Sequence, residues 1–154
     1  MTGRWHIRPS RPDEIEQLAQ IWHLAVRSSH PFLCAEKLRE ESHLLRDLYL
    51  QKIPTWVALH DGQLAGFVSA IDGFLSGIFI APGHQGQGLG RYLVEFALKP
   101  DQPARVEVMA RNRSGLGFYQ RLGFRPTSFR VHDTLGHCLV EMTRPASAAD
   151  HIPA

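Results

Sequence analysis

The chain has 154 residues, 44% of them hydrophobic and 21% charged, which excludes wholesale disorder, a fibrous repeat and two ordinary domains. Seventeen basic against fifteen acidic residues leave a net charge of +2, too small an excess to argue for nucleic acid, and the apolar stretches are too short to span a membrane. The start, MTGRWHIRPSRP, has no apolar signal-peptide core, the two cysteines Cys34 and Cys138 suggest no oxidising compartment, and a soluble cytoplasmic protein is expected. Residues 5–8 read as a short strand stopped by Pro9. Ser10 and Asp13, with Pro12 between them, signal a helix start, because a hydroxyl and an acidic group three residues on satisfy free amides of the first turn. Ile15, Leu18, Ala19, Trp22, Ala25 and Val26 follow at helical spacing as one buried stripe. A turn around residues 28–31 interrupts it, and a second helix is predicted over 35–50, buried through Leu38, Leu45, Leu48 and Tyr49.

After Pro54 the period changes to two. Residues 55–59 and 64–71 read as strands joined by Asp61-Gly62, a hairpin signal because both residues tolerate positive φ. A third strand over 74–80 ends at Ala81-Pro82-Gly83. A helix over 88–99 faces the sheet with Leu89, Leu93, Phe96 and Ala97 and stops before Pro100. A strand over 104–109, a helix over 114–122 ended at Gly123, and strands over 124–132 and 136–143 complete the chain. The order βααβββαβαββ argues an α/β domain over 1–144, a mixed central sheet of about seven strands with about four helices on its two faces. Residues 145–154 read as a loose, flexible tail.

The most informative segment is Phe79-Ile80-Ala81-Pro82-Gly83-His84-Gln85-Gly86-Gln87-Gly88-Leu89-Gly90-Arg91, a buried strand running into a glycine-rich turn that opens a helix. Glycines let the backbone approach a ligand, the first helical turn offers free N–H groups, and Arg91 adds a full positive charge. That place suits a phosphate or pyrophosphate; the bland alternative is a connection without a ligand. Two nucleotide motifs fail on the same glycines. A phosphate-binding loop needs Gly-Lys-Ser/Thr, whereas Gly90 is followed by Arg91 and Tyr92. A dinucleotide fingerprint begun at Gly86 and Gly88 finds Arg91 at its third glycine and comes after a hairpin.

Gln85-Gly86-Gln87-Gly88-Leu89-Gly90 instead resembles the Q/R-x-x-G-x-G/A signature of the GNAT N-acetyltransferases, in which this loop holds the coenzyme A pyrophosphate. Downstream, Asn112-Arg113-Ser114-Gly115-Leu116-Gly117-Phe118-Tyr119-Gln120-Arg121-Leu122-Gly123-Phe124 is similar to the family's N-x-x-A-x-x-F-Y-x-x-x-G-F helix, with Gly115 where alanine is usual. The element order resembles the GNAT fold over residues 5–143, and the segment 28–33 looks like that of small bacterial members. The resemblance implies transfer of an acetyl group from acetyl-CoA directly to a primary amine of a small molecule or of a protein. The rival is an inactive coenzyme A-binding sensor or interaction module of the same fold. In the family the pantetheine arm lies like an extra strand on the strand before the turn, which carries onto Ile78, Phe79 and Ile80. The pyrophosphate falls to Gln85, Gly86, Gln87, Gly88, Leu89, Gly90 and Arg91, the arm to Asn112 and the motif's Phe118. Arg121 meets a nucleotide phosphate or is a solvated helix side chain.

Direct transfer has two proton problems of unequal size. A lysine-like amine is nucleophilic in about one molecule per thousand near pH 7.4, a deficit of about 4 kcal/mol, whereas protonating the departing thiolate is worth about 1.5 kcal/mol. A base therefore matters more than an acid, unless the acceptor is an α-amine with a pKa near 8. Glu107, between the inward valines Val106 and Val108, points to the opposite face, where a carboxylate needs a partner, water or a task. Glu107 to Asn112 looks like the motif of amino-terminal ribosomal-protein acetyltransferases, in which the matching glutamate is the base; Met109 departs from that subfamily's arginine. Pairing with Arg105 or another cation is the alternative. Tyr119 matches the family tyrosine that protonates the thiolate, and a phenol needs no pKa shift to do so; with Phe118 and Leu122 it also fits a packing stripe. The nine histidines are scattered without metal-ligand spacing, so no metal is expected. His30 and Phe32 lie between the first two helices, where the resemblance to the family implies the acceptor pocket, with His30 as a second candidate base. Nothing suggests a reactive thiolate for an acetyl-cysteine route. The expected partners are acetyl-CoA and an amine, with no nucleic acid or membrane and with a homodimer open.

Overall fold

A computed structural model describes residues 5–131 and 138–147. Strands β1 (His6–Pro9), β2 (Thr55–His60), β3 (Gln63–Ile71) and β4 (Phe74–Ile80) pair antiparallel in that order. Strand β5 (Ala104–Met109) lies parallel to β4, and β7 (Cys138–Arg144) pairs antiparallel with β5 and with β6 (Arg125–Val131). The seven-stranded order is therefore β1-β2-β3-β4-β5-β7-β6. Asp61-Gly62 turns the chain from β2 to β3, and Asp72-Gly73 does the same from β3 to β4; all four residues have positive φ, which matches the twist of a tight hairpin. Pro9 does not stop β1 but closes it, opposite Trp56; an edge strand has one row of partners and tolerates the missing N–H. The last part of the predicted tail, residue 132 at the end of one predicted strand and residues 136–137 at the start of the next lie outside the described residues. Where the tail begins, the Ser147 N–H donates to the Pro100 carbonyl at 2.7 Å.

Helix α1 (Ile15–Ser29) follows a 3-10 turn at Pro12–Glu14. The capping contact comes one residue later than the sequence suggests: the Glu14 carboxylate, not Asp13, reaches back to accept the Arg11 N–H at 2.8 Å. Glu14 also takes two hydrogen bonds from the Arg8 guanidinium, at 2.6 and 3.1 Å, which ties β1 to the start of α1. Helix α2 (Ala35–Leu44) runs on through a π turn (Leu45–Tyr49) into the short α3 (Leu50–Lys52). That turn corrects the predicted buried stripe. Its wider winding advances the inward face by five residues, from Leu45 to Leu50, so Leu48 and Tyr49 are left exposed. Helix α4 (Leu89–Ala97) buries Leu89, Leu93 and Val94, while Phe96 is exposed and meets Trp56 edge-on at 6.2 Å. The inward arc is turned toward Gly90, which Phe118 approaches, and Phe96 falls off its border. Helix α5 (Arg113–Arg121) completes the set, and no helix among the described residues is long and apolar enough to cross a membrane.

Helices lie on both faces as expected. On one, Leu93 and Val94 of α4 and Tyr119 of α5 pack on Val68, Leu75, Val106 and Val108. On the other, Leu18, Trp22 and Leu38 pack on Val57 and Phe67, and among the described residues the strand members of this second core come from β2, β3 and β4. The sheet splits between β4 and β5. Only Phe74–Arg105 and Leu75–Val106 are paired, after which the strands diverge. The cause lies in the register with β3, where Ala70 faces Leu75 and Ser69 faces Gly77, so Ser76 is an extra residue on β4. Such a bulge bends its strand and increases its twist, here at the last rung shared with β5.

Candidate active site

The divergence opens a cleft of about 840 Å³ through the sheet, walled by Gly77 to Ile80 of β4 and Glu107 to Met109 of β5. One edge of this stretch of β4 is paired with β3, and the edge facing β5 is free to take a further extended chain. One mouth of the cleft holds the glycine-rich turn, α4 and α5; the other holds the end of α1 and the α2 region. Nearly all of the expected site residues converge on this one cleft. Gln87 is exposed in the turn, and Phe32 is joined to the cleft through the ring of His30.

The turn is built for an approaching backbone ligand. Gly86 and Gly88 have φ of 77° and 86°, where a side chain is strained, and a Cβ at either would meet no atom within 4 Å. Gly88 caps α4, whose first-turn N–H groups have no acceptor within the helix and carry its positive partial charge. Gln85 braces the turn by donating from Nε2 to the Ile80 carbonyl at 3.1 Å. A Cβ at Gly90 would lie 3.2 Å from the Phe118 ring, so this glycine sets the spacing between α4 and α5. Arg91 is exposed beside the turn, and Arg121 lies at the same mouth with its guanidinium folded back along α5 toward Gly117. Cradle, dipole and cations together fit a diphosphate.

Asn112 caps α5: its Oδ1 accepts the Gly115 N–H at 3.0 Å and the Ser114 hydroxyl at 3.1 Å. A methyl at residue 115 would collide with the Asn112 side chain, so glycine at this place lets the asparagine fold over the helix end. Of its polar groups, only the Nδ2 donors are left for a ligand. Tyr119 is buried between Phe118 and Phe124, at ring distances of 5.0 and 5.7 Å, and burial raises its pKa, so the phenol is protonated throughout the neutral range.

At the other mouth the carboxylate of Glu107 is held by Arg130 of β6, which reaches across β7 to donate from Nε at 2.8 Å and from its terminal nitrogen at 2.9 Å. The partner that the sequence reading asks for is Arg130, and no helix among the described residues covers Glu107. The α1–α2 layer stops at β4, and the side chain is 24% exposed. Directly opposite it stands Glu141, 3.9 Å from Arg105. Arg111, which the sequence reading did not single out, lies 4.6 Å over the Phe32 ring. His30 closes α1; its ring is 5.5 Å from Phe32 and 2.6 Å from the Ser29 hydroxyl, and burial lowers its pKa. Among the described residues, no three His, Cys, Asp or Glu side chains are grouped to hold a metal. Both cysteines are exposed free thiols that do not line the cleft.

Comparison with known proteins gives the same outline. Residues 51–126 match the family model described as acetyltransferase (GNAT) domain. The chain is 37% identical over 131 residues to the peptidyl-lysine N-acetyltransferase YjaB of Escherichia coli, spanning 84% of this chain and 88% of that protein. It is 34% identical over 119 residues to the peptidyl-lysine N-acetyltransferase YiaC of the same organism, spanning 77% and 82%. The solution structure of apo YjaB superposes with a TM-score of 0.82 over 93% of this chain and 99% of that one. The PaiA N-acetyltransferase of Thermoplasma acidophilum, solved with coenzyme A, shares the fold at 16% identity, with a TM-score of 0.71 over 92% and 98%.

Proposed function

The chain belongs to the GNAT family and is an acetyl-CoA-dependent N-acetyltransferase, and from that premise we propose that its acceptor is the side-chain amine of lysine in proteins. The observation that carries this reading is the cleft itself. It runs from an anion cradle, past a buried phenol, to a mouth that carries the Glu107 carboxylate. Two relatives at 34–37% identity named as peptidyl-lysine acetyltransferases support it. They also disfavour an inactive coenzyme A sensor.

In this reading the amides from Gly86 to Arg91 hold the pyrophosphate, the free edge of Ile78 to Ile80 takes the pantetheine arm, and the Asn112 Nδ2 and the Phe118 ring flank it. A thioester held there would present its acyl carbon to the acceptor within the same cleft. Tyr119 donates its phenolic proton to the departing thiolate. Glu107 draws the lysine ammonium toward that carbon. A carboxylate held at both oxygens by a guanidinium is a weaker base than a free one, so Glu107 suits electrostatic docking better than proton removal.

The test is thiol release from acetyl-CoA with lysine peptides, α-amine peptides and polyamines as acceptors, with the product located by mass spectrometry. Acetyl groups on lysine Nζ are expected, at a rate at least tenfold above the other acceptors. Transfer confined to α-amines or polyamines would replace the proposed acceptor. A second test bears on the cradle: Gly88→Ala introduces a side chain at φ 86°, costing about 1–2 kcal/mol of strain, and should weaken coenzyme A binding roughly tenfold by calorimetry. Unchanged affinity would move the pyrophosphate elsewhere.

A further inference from the structure

We propose that His30 is the general base that deprotonates the acceptor amine, and that Ser29 is a positioning residue that fixes its imidazole in the reactive tautomer. The inference rests on the acetyl transfer described above but not on lysine being the acceptor. Its foundation is a chain of two hydrogen bonds at the end of α1. The Ser29 hydroxyl lies 3.1 Å from the Ala25 carbonyl and 2.6 Å from His30 Nδ1. One arrangement makes both hydrogen bonds at once, the hydroxyl donating to the Ala25 carbonyl while Ser29 Oγ accepts the Nδ1 proton, and this is the tautomer the proposal assigns. Neutral imidazole has one N–H, so the Nε2 lone pair is left bare. The backbone holds the residue on both sides, the His30 N–H donating to the Val26 carbonyl at 2.7 Å and the His30 carbonyl accepting the Leu33 N–H at 3.1 Å.

His30 lines the same cleft as Tyr119, from the opposite mouth. The charged or titratable groups that share its mouth are Glu41 of α2, Tyr49 of the π turn and Glu107 of β5 with its partner Arg130 of β6, and Arg111 lies over the neighbouring Phe32. Burial keeps the imidazole neutral at physiological pH, the form that can accept a proton. Glu107, the other candidate, has both oxygens engaged by Arg130.

The protons balance. The ammonium gives one proton to His30 Nε2, and its nitrogen bonds to the acyl carbon. The carbon–sulfur bond breaks, and the thiolate takes the Tyr119 proton. The new amide nitrogen sheds its second proton to restore the phenol, and His30 releases its own to water. One proton leaves per turnover.

A base acting on a bound ammonium gives kcat/KM a plateau between the imidazole pKa and the amine pKa, whereas without a base the rate climbs until the amine itself deprotonates. In His30→Gln, kcat/KM should fall about 100-fold at pH 7 and recover most of the loss near pH 10. The rates are to be read on a lysine peptide and on a small primary amine, so that a wrong acceptor and a wrong base give different results. A loss that is the same at every pH, or no loss, overturns the base role. The second arm needs no turnover. Nitrogen-15 spectra of the parent should give His30 an unprotonated Nε2, Ser29→Ala should shift the ring toward the other tautomer with a three- to tenfold fall in kcat, and Ser29→Thr should restore both. A protonated Nε2 in the parent, or a tautomer indifferent to Ser29→Ala, overturns the positioning role.

Discussion

In the proposed mechanism Tyr119 puts burial to chemical use at the level of one side chain. Its ring packs edge-on to Phe118 and Phe124, so Tyr119→Phe keeps the packing and removes only the proton donor. The turnover number should fall about 100-fold while coenzyme A affinity, measured by calorimetry, stays within twofold. Equal turnover would take the acid role away from this residue. The raised pKa has a second consequence. The folded phenol keeps its proton where the unfolded one, near pH 10, has lost it. Stability from this group is therefore complete below about pH 10 and declines above it, and Tyr119→Phe should flatten the alkaline limb of the melting temperature.

Among the elements, the start of α5 offers the clearest test. Asn112→Ala removes the side chain that takes the Gly115 N–H, which should cost about 1 kcal/mol and lower the melting temperature by about 2–4 °C, whereas Asn112→Ser should recover most of it. The same helix shows what a sequence reader can and cannot see. Turns and motifs are local: Asp61-Gly62, Gly86, Gly88 and the Phe118-Tyr119 pair announce themselves because their backbone or chemistry is set within a few residues. The π turn at Leu45–Tyr49 is different, since its extra residue leaves no compositional mark and displaces every inward position after it. Nor is the Arg130–Glu107 pair legible, because it depends on the β6–β7 register and on a side chain crossing a whole strand. Ser29 stands beside His30 in the sequence, but the role proposed for it rests on contacts with the Ala25 carbonyl and the imidazole that only the structure supplies.

For the whole molecule, acid stability reports on the junction between β1 and α1. The Arg8 hydrogen bonds, then the Arg11 N–H, hold the Glu14 carboxyl below the usual carboxylate range. A folded pKa below the unfolded one means stability that is present above the unfolded value and lost as pH falls through the folded one. Glu14→Gln should therefore lower the melting temperature by about 3 °C at pH 7, and the gap from the parent should close below pH 4. A gap that persists in acid would assign the effect to packing. The divided sheet has a wider consequence. Two half-sheets are riveted by a pair of rungs at Phe74–Arg105 and Leu75–Val106, and a thioester tail laid along the gap would act as the missing plank between them. The enzyme's heat resistance should thus serve as a gauge of cellular acyl-carrier supply, rising by about 2.7 kcal/mol at a hundredfold excess over Kd.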